Sequence, residues 1–163
     1  TGTAMLYVTP YHEINRMRIV VQRVKSGSVC VAGETVGQIE RGLVLLVGIH
    51  RDDDEGAVRF CAEKCVHLRI FSDEMGKMNR SLIDVDGAAL IISQFTLYGD
   101  CRKGRRPSFD AAAHPEVANA LYTRFIERIS EMGVRVECGI FGADMQVEIH
   151  NDGPVTLVVE SPA

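Results

Sequence analysis

Apolar and polar residues alternate along 18–24 (Arg-Ile-Val-Val-Gln-Arg-Val), and the β-branched content predicts a strand with Gln22 and Arg23 as its polar members. A short turn is expected over 25–28, followed by a hairpin of 29–31 with 35–39 around Ala32-Gly33-Glu34. The run 42–49 is apolar throughout, the mark of a central strand covered on both faces. Further strands are expected over 88–98, 134–138, 145–149 and 155–159. The last two flank His150-Asn151-Asp152-Gly153-Pro154, a dense turn signal that needs no function to explain it. Gly-Pro also presents two backbone carbonyls with little side-chain cover, and an X-Pro bond can be cis.

The period changes twice. After Asp52, Asp53 and Asp54, apolar residues recur at Val58, Cys61, Ala62, Cys65 and Leu68, which predicts a helix. The aspartates suit its N-cap and its positive end better than they suit a metal, since the helix follows at once. A second helix opens near Pro115, carries Val117, Ala118, Leu121, Phe125, Ile129 and Met132 as its stripe, and stops at Gly133. Residues 71–86, with Gly76-Lys77-Met78-Asn79, read as a hairpin or ordered loop. About eight strands, with two helices that do not alternate with them, argue for the α+β class. One domain over 17–163 is expected, with 1–16 a non-essential extension or an artificial remnant.

One strand is odd. In Leu90-Ile91-Ile92-Ser93-Gln94-Phe95-Thr96-Leu97-Tyr98-Gly99, three apolar residues are followed by three polar side chains in what reads as one extended run. Buried polar groups must find partners, so a polar cluster leaving a buried strand is a place for chemistry. Hydroxyls bonding neighbouring backbone at a strand end would explain it as well. Directly after it come Arg102, Lys103, Arg105 and Arg106 around Gly104. Such a cluster is either a solvated loop or, beside a site, a sign of an anionic substrate.

Composition narrows the classes. The net charge of −4 rules out general nucleic-acid adhesion, and no run is long enough for a membrane-spanning helix. Five cysteines without a CxxC pair argue against a disulfide framework and for a reduced, cytoplasmic setting. Cys61 and Cys65 sit four apart near His67, a possible metal pair, but the apolar periodicity makes them core thiols. None of the five histidines stands in a nucleophile context, and no phosphate loop or dinucleotide fingerprint occurs. Neither metal nor cofactor is expected. What is left is a site of hydroxyls, an amide and backbone groups, which suits acyl transfer from an activated ester.

From about Met17 to Glu160 the chain resembles the D-aminoacyl-tRNA deacylases. The resemblance rests on Gln22-Arg23-Val24, Ser93-Gln94-Phe95-Thr96-Leu97, Arg106-Pro107-Ser108-Phe109 and Asn151-x-Gly153-Pro154-x-Thr156. It implies a β-barrel-like fold of antiparallel and mixed sheets with two helices, acting as a homodimer. The implied activity is hydrolysis of the ester of D-aminoacyl-tRNA, with glycine mischarged on tRNA(Ala) also a substrate. Ser93, Gln94, Phe95 and Thr96 would line the site, with the Phe95 and Thr96 N–H groups facing the oxyanion. Gly153-Pro154 would be cis, inserted into the partner's site to capture the α-amino group, and Arg23 would hold that loop. Arg102, Lys103, Arg105 and Arg106 would touch tRNA. A non-catalytic module binding the tRNA 3′ end is the alternative.

Overall fold

The computed structural model describes residues 17–162, so the reading of 1–16 lies outside the described residues. The opening alternation does not stop at Val24. Strand β1 (Arg18–Val31) runs for 14 residues, and the turn expected over 25–28 is not there. Ser26, Gly27 and Ser28 instead mark a change of partner: β1 pairs with β3 (Gly42–Gly48) over 18–24 and with β2 (Glu34–Ile39) over 27–31. Small residues ease the bend and the register slips that this handover needs. The β1–β2 hairpin turns through Ala32 and Gly33 at φ 50° and 80°, the left-handed pair of a tight hairpin.

Helix α1 (Glu55–His67) starts at Asp54, whose carboxylate accepts the Ala57 N–H at 3.1 Å. The polar connection after it is a small hairpin of β4 (Phe71–Ser72) and β5 (Met78–Arg80). Strand β6 (Ala88–Ser93) pairs parallel to β3, and β7 (Arg135–Cys138) pairs parallel to β6. Each helix therefore does lie between two parallel strands, α1 before β6 and α2 (Pro115–Glu131) before β7. Crossovers of one hand that advance the same way across a sheet put their helices on one face. The two meet there through Arg124–Glu55 at 2.6 Å and Arg128–Glu63 at 2.8 Å.

Alternation along the central strands divides the core. Leu43, Leu45, Val47, Ala89 and Ile91 face the helices and pack with Cys61, Cys65, Phe125 and Ile129. Val44, Ala88, Leu90 and Ile92 face the other way, against Val24, Val29 and Ile39. Both strands are thus covered on both faces, as their unbroken apolar runs require. The mixed sheet curls into a nearly closed barrel: a methyl on Gly37 of β2 would stand 2.9 Å from the Cys138 carbonyl of β7. Cys61 and Cys65 are fully buried, and burial pushes the Cys61 thiol up to about 12. In α2 the stripe is shifted from the expected one. Val117 is 48% exposed, while Tyr122 is buried and donates to the Ile91 carbonyl at 2.8 Å.

Eight strands are present among the described residues, but not the expected ones. Residues 145–149 and 155–159 belong to a single strand, β8 (Met145–Glu160), antiparallel to β1 throughout. Asn151 pairs opposite Val24 and Thr156 opposite Gln22, so residues 152–155 bulge out opposite Arg23 alone. The chain makes an excursion here and resumes its direction; it does not reverse. The Asn151 side chain is the reason, since its Oδ1 accepts the Val155 N–H at 2.7 Å and its Nδ2 donates to the Val155 carbonyl at 3.2 Å.

Candidate functional site

The strand expected over 88–98 ends at Ser93. Gln94 breaks from it and Phe95–Tyr98 form one turn of 3-10 helix, so the polar cluster is not extended. The chain turns because the Tyr98 ring is buried and its hydroxyl donates to the Gly48 carbonyl at 3.1 Å, pulling residues 95–98 over the end of β3. The Gln94 N–H is tied to the Val47 carbonyl at 2.7 Å, and the first helical bond runs from Leu97 N–H to the Gln94 carbonyl at 3.2 Å. The Phe95 and Thr96 N–H groups precede that bond and have no partner within the helix, as at any helix start. Both residues are exposed. Two adjacent N–H donors, fixed by a buried strand end and open to solvent, can stabilise charge developing on a carbonyl oxygen.

The side chains around them are already engaged. The Gln94 amide donates to the Thr96 hydroxyl. Phe95 is 57% exposed and meets Phe109 edge-on, with ring centroids 5.2 Å apart. No histidine or carboxylate is hydrogen-bonded to the Ser93 or Thr96 hydroxyl among the described residues. Burial, reinforced by Asp53, pushes the Tyr98 phenol far up, so that hydroxyl is an anchor and not an acid.

The second candidate element is the bulge of β8. The Gly153–Pro154 bond is cis, and both residues are exposed. Gly153 has φ 141°, and a methyl there would stand 2.9 Å from the Val155 nitrogen, so no other residue fits without strain. Arg23 donates through Nε to the Asp152 carbonyl at 2.9 Å and through Nη1 to the Ile70 carbonyl at 2.7 Å. The Thr156 hydroxyl accepts from Asn151 at 3.0 Å and Gln22 at 3.4 Å. Asn151 and Thr156 are thus the clasp of the bulge, a role that only their pairing with β1 reveals.

Ser93, Gln94, Phe95 and Thr96 are together, and Arg23 is with Gly153 and Pro154, but the two groups are apart. Ser93 lies in the row Val47–Ile19–Val159, and the bulge lies opposite Arg23. Three strand spacings one way and four residues the other make roughly 20 Å.

The basic loop is a closed excursion between Asp100 and Ser108, whose backbones pair at 2.7 and 3.0 Å. Arg102 is bound to Asp100 through Nε at 2.9 Å and Nη2 at 2.8 Å, which holds that carboxyl at about 2. Lys103, Arg105 and Arg106 are exposed and have no ion-pair partner among the described residues. Sequence reasoning did not single out Arg18 or Tyr98, which anchor the 3-10 helix; nothing local marks them.

The family model for D-Tyr-tRNA(Tyr) deacylase matches residues 20–160. The D-aminoacyl-tRNA deacylase of Fervidobacterium nodosum is 62% identical over 145 residues, 89% of this chain and 97% of that protein. That of Anoxybacillus flavithermus is 63% identical over 145 residues, 89% of this chain and 99% of its own length. Among solved structures, the c-Myc DNA Unwinding Element Binding Protein superposes with a TM-score of 0.84 at 41% identity, covering 90% of this chain and 99% of that one. A probable eukaryotic D-amino acid tRNA deacylase superposes at 0.78 with 21% identity, covering 89% and 99%, and shares the fold.

Proposed function

The chain belongs to the D-Tyr-tRNA(Tyr) deacylase family and is a hydrolase of D-aminoacyl-tRNA, and we propose that its site is assembled from the 3-10 turn of one subunit and the β8 bulge of another. The observation that carries this reading is the pair of N–H groups of Phe95 and Thr96, unengaged among the described residues, on an exposed rim. They bind the ester carbonyl oxygen and hold the negative charge that develops as water attacks. The carbonyls of Gly153 and Pro154, from the second copy, take the α-ammonium. With ester and amine fixed, a D side chain points to solvent and an L side chain runs into the Gly-Pro backbone. Glycine has no side chain to reject, so glycine on tRNA(Ala) is also cleaved.

The roughly 20 Å between turn and bulge in one chain supports a homodimer as the working unit. Ser93 and Gln94 shape the rim, and the ribose 2′-OH assists, since among the described residues no side-chain base is bound to the Ser93 or Thr96 hydroxyl. Lys103, Arg105 and Arg106 face the rest of the tRNA, with Arg102 setting the loop through Asp100. Chiral proofreading of this kind belongs with translation in the cytoplasm.

The test is release of tyrosine from D-Tyr-tRNA and L-Tyr-tRNA at low enzyme. Release from the D form alone is expected. Tight tRNA binding without release would favour a 3′-end-binding module, a reading to which the likeness with a DNA Unwinding Element Binding Protein lends some weight. Subunit exchange between a Ser93-region variant and a Pro154 variant should restore some activity. Absence of recovery after demonstrated mixing would rule out the cross-subunit site.

A further inference from the structure

Arg18 stands at the far end of the 3-10 turn from the two donors. Its Nη1 donates to the Leu97 carbonyl at 2.8 Å, and its guanidinium lies over the Tyr98 ring, 5.4 Å from the centroid. Its Nε meets Glu160 of β8 at 2.9 Å, and its side chain is only 26% exposed. One side chain thus grips the last turn of Phe95–Tyr98, stacks on its aromatic anchor and is itself fixed by a strand end. A single-turn helix is too short to hold its own geometry. The turn therefore takes its orientation from its two ends, the Gln94 N–H on the Val47 carbonyl and the Leu97 carbonyl on Arg18, so where the carbonyl end is held bears on where the N–H end points. The Leu97 carbonyl would otherwise be an orphan acceptor, for which a cation at a helix C-terminus is the favourable partner.

From this geometry we infer that Arg18 is a positioning residue for the reaction, aiming the Phe95 and Thr96 N–H groups by holding the opposite end of their turn. The inference rests on those two groups being the oxyanion donors. In this role Arg18 acts through the turn, on the chemical step and not on tRNA binding.

The experiment compares Arg18→Met, Arg18→Lys and Glu160→Gln on D-Tyr-tRNA, with amide resonances recorded for Phe95 and Thr96. Arg18→Met is expected to lower kcat about ten- to a hundredfold with little change in KM, the scale of a small misalignment. Sub-denaturing guanidinium should recover part of that loss in Arg18→Met, while leaving wild type unaffected. Lysine can donate to the carbonyl but cannot reproduce the stacked fork, so Arg18→Lys should fall between. Glu160→Gln keeps the grip on Leu97 and should lose least. In free protein the Phe95 and Thr96 amide resonances should shift in Arg18→Met and return with guanidinium.

A rise in KM at constant kcat, or unshifted amide resonances, would overturn the inference. So would a loss of activity that guanidinium does not restore in a variant of unchanged thermal stability. The donor reading is tested separately, by whether the wild-type Phe95 and Thr96 amides respond to a tetrahedral phosphonate analogue of the ester. If they do not, that reading fails, while the resonance shifts in free Arg18→Met still decide whether Arg18 aims the turn.

Discussion

The turn after β6 and the bulge in β8 are opposites in charge and in construction. The turn presents N–H donors and is held to main-chain groups of β3 by the Gln94 N–H on Val47 and the Tyr98 hydroxyl on Gly48, with Arg18 on its Leu97 carbonyl. The bulge presents carbonyl acceptors and is held by side chains, Asn151 across its base and Arg23 on its flank. The first sits at the end of a strand buried on both faces, the second in the middle of a strand with alternating exposure. A reaction that develops negative charge on one oxygen of a cationic amino ester needs both kinds of surface. Donors and acceptors placed roughly 20 Å apart along the sheet of one chain do not satisfy each other. The difference also says where each half is fragile.

The bulge should fail first and hardest, because it depends on one backbone conformation. Gly153→Ala places a methyl 2.9 Å from the Val155 nitrogen at φ 141°. Strain of about 1–3 kcal/mol then reshapes an exposed excursion without touching the core. The expected outcome is a fall of about a hundredfold in kcat/KM for D-Tyr-tRNA, with the melting temperature nearly unchanged. Near-wild-type turnover would show that the bulge takes no part in the chemistry.

The turn should respond more weakly and through stability. Tyr98→Phe removes the hydroxyl that donates to the buried Gly48 carbonyl, a loss of about 1–2 kcal/mol with a smaller effect on turnover than Gly153→Ala. Its pH signature is distinct. Burial raises the folded-state pKa of Tyr98, as it raises the Cys61 thiol from 9.0 to about 12. A raised pKa gives stability that is fully present below the unfolded value and lost as pH climbs towards the folded one. Stability should therefore fall from about pH 9 upwards, and less steeply in Tyr98→Phe. A thermal melt series from pH 7 to 11 reads both; an identical alkaline slope in the variant would remove Tyr98 from the account.

The sequence was easier to read for the scaffold than for either half of the site. The unbroken apolar runs of β3 and β6, an aspartate cap for α1 and the buried thiols all follow from local pattern. The break after Ser93 does not, because Phe-Thr-Leu-Tyr is a good strand sequence by propensity. The chain turns there through distant partners, among them the Gly48 carbonyl fifty positions from the Tyr98 hydroxyl and Arg18 on the Leu97 carbonyl. In β8 the error ran the other way. Asn-Asp-Gly-Pro signals a turn, and local rules cannot tell a reversal from an excursion that rejoins the same neighbour. The parallel pairing of β3 with β6 and β6 with β7 was likewise invisible, since a run covered on both faces carries no mark of its neighbour's direction. The polar residues at the strand exit and the bare Gly-Pro carbonyls stood out in the sequence because each broke the pattern around it.

The smallest effect is expected at Thr96, and it separates two accounts of the turn. If its hydroxyl were the nucleophile, the turn would be a covalent device and Thr96→Val would abolish activity. A threonine nucleophile needs a base within hydrogen-bond reach. The Thr96 hydroxyl has instead the Gln94 amide, a donor that stabilises the oxygen's lone pair and takes no proton from it. The N–H of residue 96 is a main-chain group, and valine keeps it. Valine also keeps the β-branched shape, so the turn should hold with Gln94 released to solvent. Thr96→Val should then lose only a few-fold in kcat, whereas tRNA ending in 2′-deoxyadenosine should lose most of its turnover with wild-type enzyme. The two defects should multiply when combined, because they strike independent contributions: one the trim of the donor turn, the other the substrate's own hydroxyl. An acyl-enzyme trapped on Thr96, or a Thr96→Val variant with no turnover and an intact fold, would make the turn a nucleophile and end the comparison drawn between donors and acceptors.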